Sequence, residues 1–299
     1  MEAAVDSVAR PDWLAASARA GIVFNAMSGS VSAGSVGETQ LDTLLQTLER
    51  HGVTSHRQFS LSELDALTEA AGELDIIIVL GGDGTARAVA ASATSDGPPL
   101  LLLPGGTLNI LPKALLGELT WPDALEAALS HGEVHRLVGG VANGEAFFIA
   151  AMFGAPTLLA RTREAIREGK WQKAWRRFQL FRQRLLSSRL VARPDSGRMR
   201  AAEAVGVLCP SFSGGVDGDT LEWVRLDARN ITELLRVGVR ALGPTWRDDP
   251  AVHASPCRSG EILGMGLIPC TLDGEPRAFQ TPVRIAYKSD GPNVVTLPH

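Results

Sequence analysis

The chain has 299 residues, 45% of them hydrophobic and 21% charged, with a formal net charge of −4. This composition is globular, leaves room for two domains with separate cores, and excludes a disordered chain. The negative balance argues against a nucleic-acid binder, whose affinity rests on neutralising phosphates. Cys209, Cys257 and Cys270 show no C-x-x-C spacing, so neither a disulfide framework nor a zinc site is expected, and a reducing, cytoplasmic compartment is. No stretch reaches the length of a membrane span, and residues 1–20 mix Asp, Arg and Pro without an apolar signal core.

Residues 1–19 read as an N-terminal lead, mobile or with a short helix. Gly21-Ile22-Val23-Phe24 gives a first strand, and Asn25, Ser28 and Gly29 after it place amide and hydroxyl donors at its carboxyl end. The Gly/Ser-rich piece through Gly37 reads equally as a plain loop or a flap. Leu41, Leu44, Leu45 and Leu48 follow helical spacing, so a helix covers 38–50. A strand over His56–Phe59 comes next. Ser60, with Glu63 three residues on, forms a capping box for a helix over 61–71.

Asp75-Ile76-Ile77-Ile78-Val79-Leu80 is a short apolar run, suited to a strand buried on both faces of a parallel sheet. It ends in Gly81-Gly82-Asp83-Gly84-Thr85, followed by the helix-forming Ala86–Ala91. Strand, glycine turn and helix start make a phosphate site, because glycine lets the backbone approach and free amides favour an anion. Asp83 beside phosphates would be repelled unless a cation or a proton stands between, which reads as Mg²⁺-nucleotide chemistry. The spacing matches neither G-x-G-x-x-G nor the P-loop. A second buried run, Pro99–Leu103, ends in Pro104-Gly105-Gly106-Thr107-Leu108-Asn109. Two parallel strands would thus deliver glycine and threonine turns to one carboxyl edge, where open α/β sheets bind ligands. Trp121–Ser130 reads as a helix. His131 and His135 are spaced like metal ligands on a helix, but Gly132 breaks the helix they need, so no metal is expected there.

From Arg136 the strand–helix alternation gives way to short strands and turns, an antiparallel β pattern. Leu137–Ala142 and Ala146–Met152 flank the hairpin signal Asn143-Gly144. Residues 161–190 read as one helix, with Trp171, Trp175, Phe178, Phe181 and Leu185 on a stripe and Lys173, Arg176, Arg177 and Arg184 behind it. The stretch Lys170–Arg189 has no acidic residue, which suits either peripheral contact with an anionic membrane or docking on the β-domain. Ala204–Cys209 and Leu221–Leu226 read as a strand pair around an acidic turn holding Asp217 and Asp219. Near the end, a strand over Gly266–Leu272 leads into Asp273-Gly274-Glu275 and Thr281-Pro282-Val283.

Gly-Gly-Asp-Gly-Thr followed by Pro-x-Gly-Thr-x-Asn, with a late Asp-Gly-Glu, resembles the diacylglycerol kinase catalytic domain shared by bacterial lipid kinases and sphingosine kinases. The resemblance implies a Rossmann-like parallel α/β nucleotide domain over residues 20–135 and an antiparallel β-sandwich substrate domain over 136–299, the last residues free to return to the first. It implies an ATP- and Mg²⁺-dependent kinase acting on a lipid hydroxyl. Gly81, Gly82, Gly84 and Thr85 would cradle ATP phosphates, with Gly106, Thr107 and Asn109 closing over the nucleotide. Asn25, Ser28 and Gly29 match the family's Asn-Pro-x-Ser-Gly apart from Ala26, and Ser60 stands where a nucleotide-contacting threonine is usual. Asp83 would act through Mg²⁺, Asp273 or Glu275 would accept the proton of the lipid hydroxyl, and Asp217 or Asp219 would hold a structural Mg²⁺. Ala86-Arg87-Ala88 and Ile110 depart from the usual pattern and leave the acceptor lipid open. NAD kinase, which shares the first motif, and a catalytically silent nucleotide- or lipid-binding protein are the alternatives.

Overall fold

The computed structural model describes residues 11–15, 17–25, 35–154, 190–195, 197–213, 218–227 and 247–298. The chain divides into two compact units, one running to Leu137 and resuming at Ser289, the other spanning Val138–Lys288.

The first unit is a six-stranded sheet in the order β2-β1-β3-β4-β18-β5. Its strands are β1 (Ala18–Phe24), β2 (Val53–Phe59), β3 (Ile76–Gly81), β4 (Leu100–Pro104), β5 (Glu133–Arg136) and the last strand of the chain, β18 (Asn293–Thr296). β2, β1, β3, β4 and β18 run parallel, and only β5 is antiparallel. Every residue of β3 and β4 is buried, as their unbroken apolar runs require of central strands covered on both faces. The helices are α1 (Ser35–Arg50), α2 (Leu64–Ala70), α3 (Asp83–Ser92), α4 (Ile110–Leu116) and α5 (Trp121–His131).

Three sequence expectations change here. The described part of the lead, from residue 11, is anchored, since Trp13 Nε1 donates to the Gly132 carbonyl at 2.6 Å, Leu14 is buried, and β1 already begins at Ala18. The helix expected over 61–71 opens as a 3₁₀ turn, Leu61–Glu63, before α2. The boundary lies past Arg136, because β5 pairs with the returning β18 and so belongs to the first sheet.

The second unit holds two six-stranded antiparallel sheets. One has the order β10-β9-β14-β17-β6-β7 and the other β13-β12-β11-β8-β15-β16. The strands are β6 (Gly139–Ala142), β7 (Glu145–Phe147), β8 (Ala150–Gly154), β9 (Leu190–Pro194), β10 (Arg200–Ala202), β11 (Ala204–Leu208), β12 (Leu221–Leu226), β13 (Val252–Cys257), β14 (Ser259–Leu263), β15 (Leu267–Leu272), β16 (Glu275–Gln280) and β17 (Val283–Lys288). Phe147, Ile262 and Ile285 from the first sheet and Phe153, Val207, Trp223 and Ile268 from the second share one buried cluster. The Asn143-Gly144 turn has positive φ at both residues, 46° and 92°, as a two-residue hairpin requires.

The run Ala146–Met152 is not one strand. It breaks at Phe148-Ile149, where the chain leaves the first sheet and enters the second. Phe147, Phe148 and Ile149 are consecutive and all buried, which a straight strand with one solvated face cannot achieve and a corner can. Lys170–Arg189 lies outside the described residues, and among the described residues no helix is long and apolar enough to cross a membrane.

Candidate active site

Asn25, just past β1, and the turns after β3 and β4 lie at the carboxyl edge of the first sheet. The strands are adjacent in the order β1-β3-β4, so the topology brings their carboxyl ends to one place. Asn25, just past β1, donates from Nδ2 to Thr85 Oγ1 at 2.9 Å, tying the first turn to the second. The second and third turns touch backbone to backbone. A Cβ on Gly105 would lie 2.8 Å from Gly81 N, and one on Gly106 would lie 2.6 Å from Gly82 Cα. Only glycine allows that approach.

Asp83 opens α3, and its Oδ1 accepts the Leu111 amide at 3.1 Å, bridging the starts of α3 and α4. Burial raises its carboxyl above the ordinary aspartate range, against the amides of Leu111, Ile110 and Asn109 and the charge of Lys113, which pull it down. Lys113, a cation one turn into α4, was not singled out from the sequence. The residue before α3 is Gly82, which has no side chain with which to cap the first-turn amides. These residues fit a nucleotide phosphate and a divalent cation. Free amides meet the anion, and a carboxylate disfavoured by burial gains from a positive ion. Among the described residues no group of three or more His, Cys, Asp or Glu side chains could hold a metal by itself.

The other nucleotide-site expectations divide. Thr107 is exposed beside the touching turns. Asn109 is buried with φ 53°, and it closes its own turn: Oδ1 accepts the Gly106 amide at 2.6 Å and Nδ2 donates to the Gly106 carbonyl at 2.8 Å. It therefore shapes the third turn, a role that the expectation of closing over a nucleotide did not include. Ser60 is the helix cap of the sequence reading. Glu63 Oε2 accepts its backbone amide at 2.8 Å and its hydroxyl at 2.7 Å, and these bonds hold the Glu63 carboxyl below its ordinary range. Ser28 and Gly29 lie outside the described residues.

The late motif belongs to the second unit. Asp273 takes φ 49° in the two-residue turn between β15 and β16, yet it is buried. Its Oδ2 accepts the Phe148 amide at 2.9 Å, and its Oδ1 accepts the Ile149 and Ala150 amides at 2.8 and 2.9 Å. Asp273 thus fastens the corner at which the chain changes sheets. Those backbone groups would otherwise be buried without partners, a cost of several kcal/mol by the usual accounting of about 1–3 kcal/mol each. Ser211 Oγ donates to the Phe148 carbonyl at 2.9 Å on the same corner. The nearby Cys209 thiol is pushed well up, first by burial and then by the Asp273 charge, which disfavours its thiolate. Glu275 differs from Asp273. It is exposed at the start of β16, and its side chain has no hydrogen bond or ion pair among the described residues.

Asp219 is paired with the Arg258 guanidinium, so a cation of the chain meets its charge where the sequence reading expected a metal ligand. Asp217, the other residue considered for that role, lies outside the described residues.

Comparison with known proteins places this geometry. Residues 19–139 match the diacylglycerol kinase catalytic domain. A diacylglycerol kinase structure from Bacillus anthracis str. Sterne superposes with a TM-score of 0.66 at 17% identity, covering 94% of this chain and 97% of that one. An NAD kinase from Archaeoglobus fulgidus, solved in complex with ATP, gives 0.50 at 14% identity, covering 92% of each chain. At these identities the likeness is one of fold. In sequence, an NAD kinase from Citrifermentans bemidjiense is 34% identical over 87 residues, covering 26% of this chain and 30% of the relative's length. The parallel α/β sheet and the antiparallel sheets agree with that fold, and residues 19–139 are similar to the diacylglycerol kinase catalytic domain.

Proposed function

We propose that the protein is an ATP- and Mg²⁺-dependent lipid kinase that phosphorylates a hydroxyl of a diacylglycerol-like lipid. The observation that carries this reading is the contact of two glycine turns, Gly81–Thr85 and Gly105–Asn109, around Asp83. Phosphoryl transfer needs positioning and charge neutralisation more than covalent help, and this is what such turns provide. ATP is the phosphoryl donor, and Mg²⁺ supplies charge neutralisation at its phosphates. The amides at the start of α3 orient the phosphates, Asn25 and Thr85 fix the turn that bears those amides, and Asp83 holds the cation. Glu275 accepts the proton of the lipid hydroxyl. What favours Glu275 over Asp273 is that both oxygens of Asp273 are engaged by backbone amides while the Glu275 carboxylate is free to reorient. The basic stretch Lys170–Arg189 brings the protein to an anionic membrane surface. That proposal rests on sequence, and it predicts binding to anionic vesicles that weakens with salt.

The test is incubation of pure protein with radiolabelled ATP and Mg²⁺ against diacylglycerol, sphingoid base, mixed bacterial lipid and NAD in separate pools. Label in a lipid pool is the expected result. Label only in NAD would move the protein to the NAD kinases, whose sequence likeness over 87 residues makes that the second reading. Label in none, with ATP binding retained, would make it a silent binder.

A further inference from the structure

The second unit contains a cavity of about 430 Å³ that none of the motifs accounts for. It is lined from one sheet by β9, β10 and the chain between them, and from the other by β12 and β13. β10 and β13 are the edge strands of their sheets, whereas Asp273 lies on the β15–β16 hairpin at the opposite edge of the second sheet. The cavity is therefore separate from the late motif.

Its lining is basic over an apolar floor. Trp223 is nearly fully buried there beside Ala192 and Pro194, and Arg198, Arg200, Arg225 and His253 supply the charged and polar groups. Among the described residues no carboxylate lines it. Arg225 is already committed: Nη1 donates to the Ala201 carbonyl at 3.3 Å and pairs with Asp227 at 3.2 Å. The side chains of Arg198, Arg200 and His253 have no hydrogen bond or ion pair among the described residues. Glu203 and Asp227 line an adjoining hollow that shares Arg200 and Arg225, which bounds the positive region on that side.

Uncompensated guanidiniums at a concave site with an aromatic floor have a defined chemical complement. Each guanidinium presents a planar fork of donors, matched by the tetrahedral oxygens of a phosphate. An anion would complement the positive lining, and the volume lies in the range of small-molecule sites. We propose that this cavity binds the phosphate of a phosphate monoester, with the carbon portion of the ester toward the Trp223 floor. The monoester is either a free small molecule or the headgroup of a lipid at a membrane surface.

The test is titration of the full chain with inorganic phosphate, glycerol 1-phosphate, and vesicles of phosphatidylcholine with and without phosphatidic acid. Each titration is repeated on the double variant Arg198→Gln/Arg200→Gln. Both side chains are exposed, so the variant should fold, and ATP binding equal to that of the parent controls for this. The expected result is that at least one monoester probe binds the parent and binds the variant about tenfold more weakly or worse, since two charge-assisted partners are lost. A larger loss of glycerol 1-phosphate binding in the variant identifies a free molecule, and a larger loss of phosphatidic acid vesicle binding identifies a lipid headgroup, because any vesicle binding through Lys170–Arg189 is common to parent and variant. Equal binding by parent and variant, or no monoester binding by the parent, overturns the proposal. Neither result bears on the kinase reading, which the ATP control reports separately.

Discussion

Gly106 packs against Gly82 so closely that a Cβ on Gly106 would lie 2.6 Å from the Gly82 Cα and 2.9 Å from Asn109 Oδ1. The first obstacle is backbone, which cannot rotate away as a side-chain tip can. Gly106→Ala must therefore push the third turn off the second. The strain falls on the two turns proposed to hold ATP, at a cost of about 1–3 kcal/mol, typical of overpacking. ATP affinity should fall at least tenfold, with a lower denaturation midpoint, in paired calorimetry and urea titrations. Unchanged ATP affinity would remove these turns from the nucleotide site.

Asp83 gives the opposite balance of stability and activity. Its carboxyl is raised by burial, and a carboxyl with a raised folded-state value destabilises the fold as pH rises through that value. At neutral pH the charge is a burden that Asn does not carry, while the Asn carbonyl can still accept the Leu111 amide. Asp83→Asn should therefore melt within about 1 kcal/mol of the parent or above it, while turnover falls by about two orders of magnitude or more. Strong destabilisation would make Asp83 structural.

Glu126 tests the packing of α1 on α5. Its carboxyl is held below the ordinary range, chiefly by the hydrogen bond with His51, whose Nε2 lies 2.9 Å from Oε1; Arg50 reaches Oε2 at 3.0 Å. A depressed folded-state value contributes stability that is fully present above the unfolded value and lost as pH falls through the folded one. Glu126 is 41% exposed, so solvent screening keeps the effect within about 1 kcal/mol. Thermal melts should separate Glu126→Gln from the parent at neutral pH, the gap closing as pH falls below the ordinary glutamate range. A gap that does not change with pH would assign the effect to packing.

The glycine turns and the strands that carry them were legible because their signals are local: unbroken apolar runs, glycine spacing and a following helix former. The roles of Asn109 and Asp273 were not. Asn109 is set by a left-handed backbone and two bonds to Gly106, which composition does not encode. Asp273 meets amides 123–125 residues away, and its partners exist only because the run Ala146–Met152 bends into a corner. Hydrophobic pattern alone shows that run as one strand, since every residue from Ala146 to Met152 is apolar.

The late motif should separate into a structural and a chemical residue. Asp273 accepts the Phe148 amide on one oxygen and the Ile149 and Ala150 amides on the other. Asn can satisfy one side only, because its amino group would face a second donor on the other, whichever way it is turned. Asp273→Asn should cost about 1–3 kcal/mol, the usual penalty for an unsatisfied buried donor, and Asp273→Ala should cost more. Glu275 is exposed with no described partner, so Glu275→Gln should leave the urea midpoint unchanged while lowering kcat about 10²-fold, as loss of a general base does. Its effect on lipid KM should be small, because the group removed acts on a proton and does not hold the acceptor. If Glu275→Gln turns over normally while Asp273→Asn folds well and is inactive, the base is Asp273, and its three amide bonds belong to catalysis.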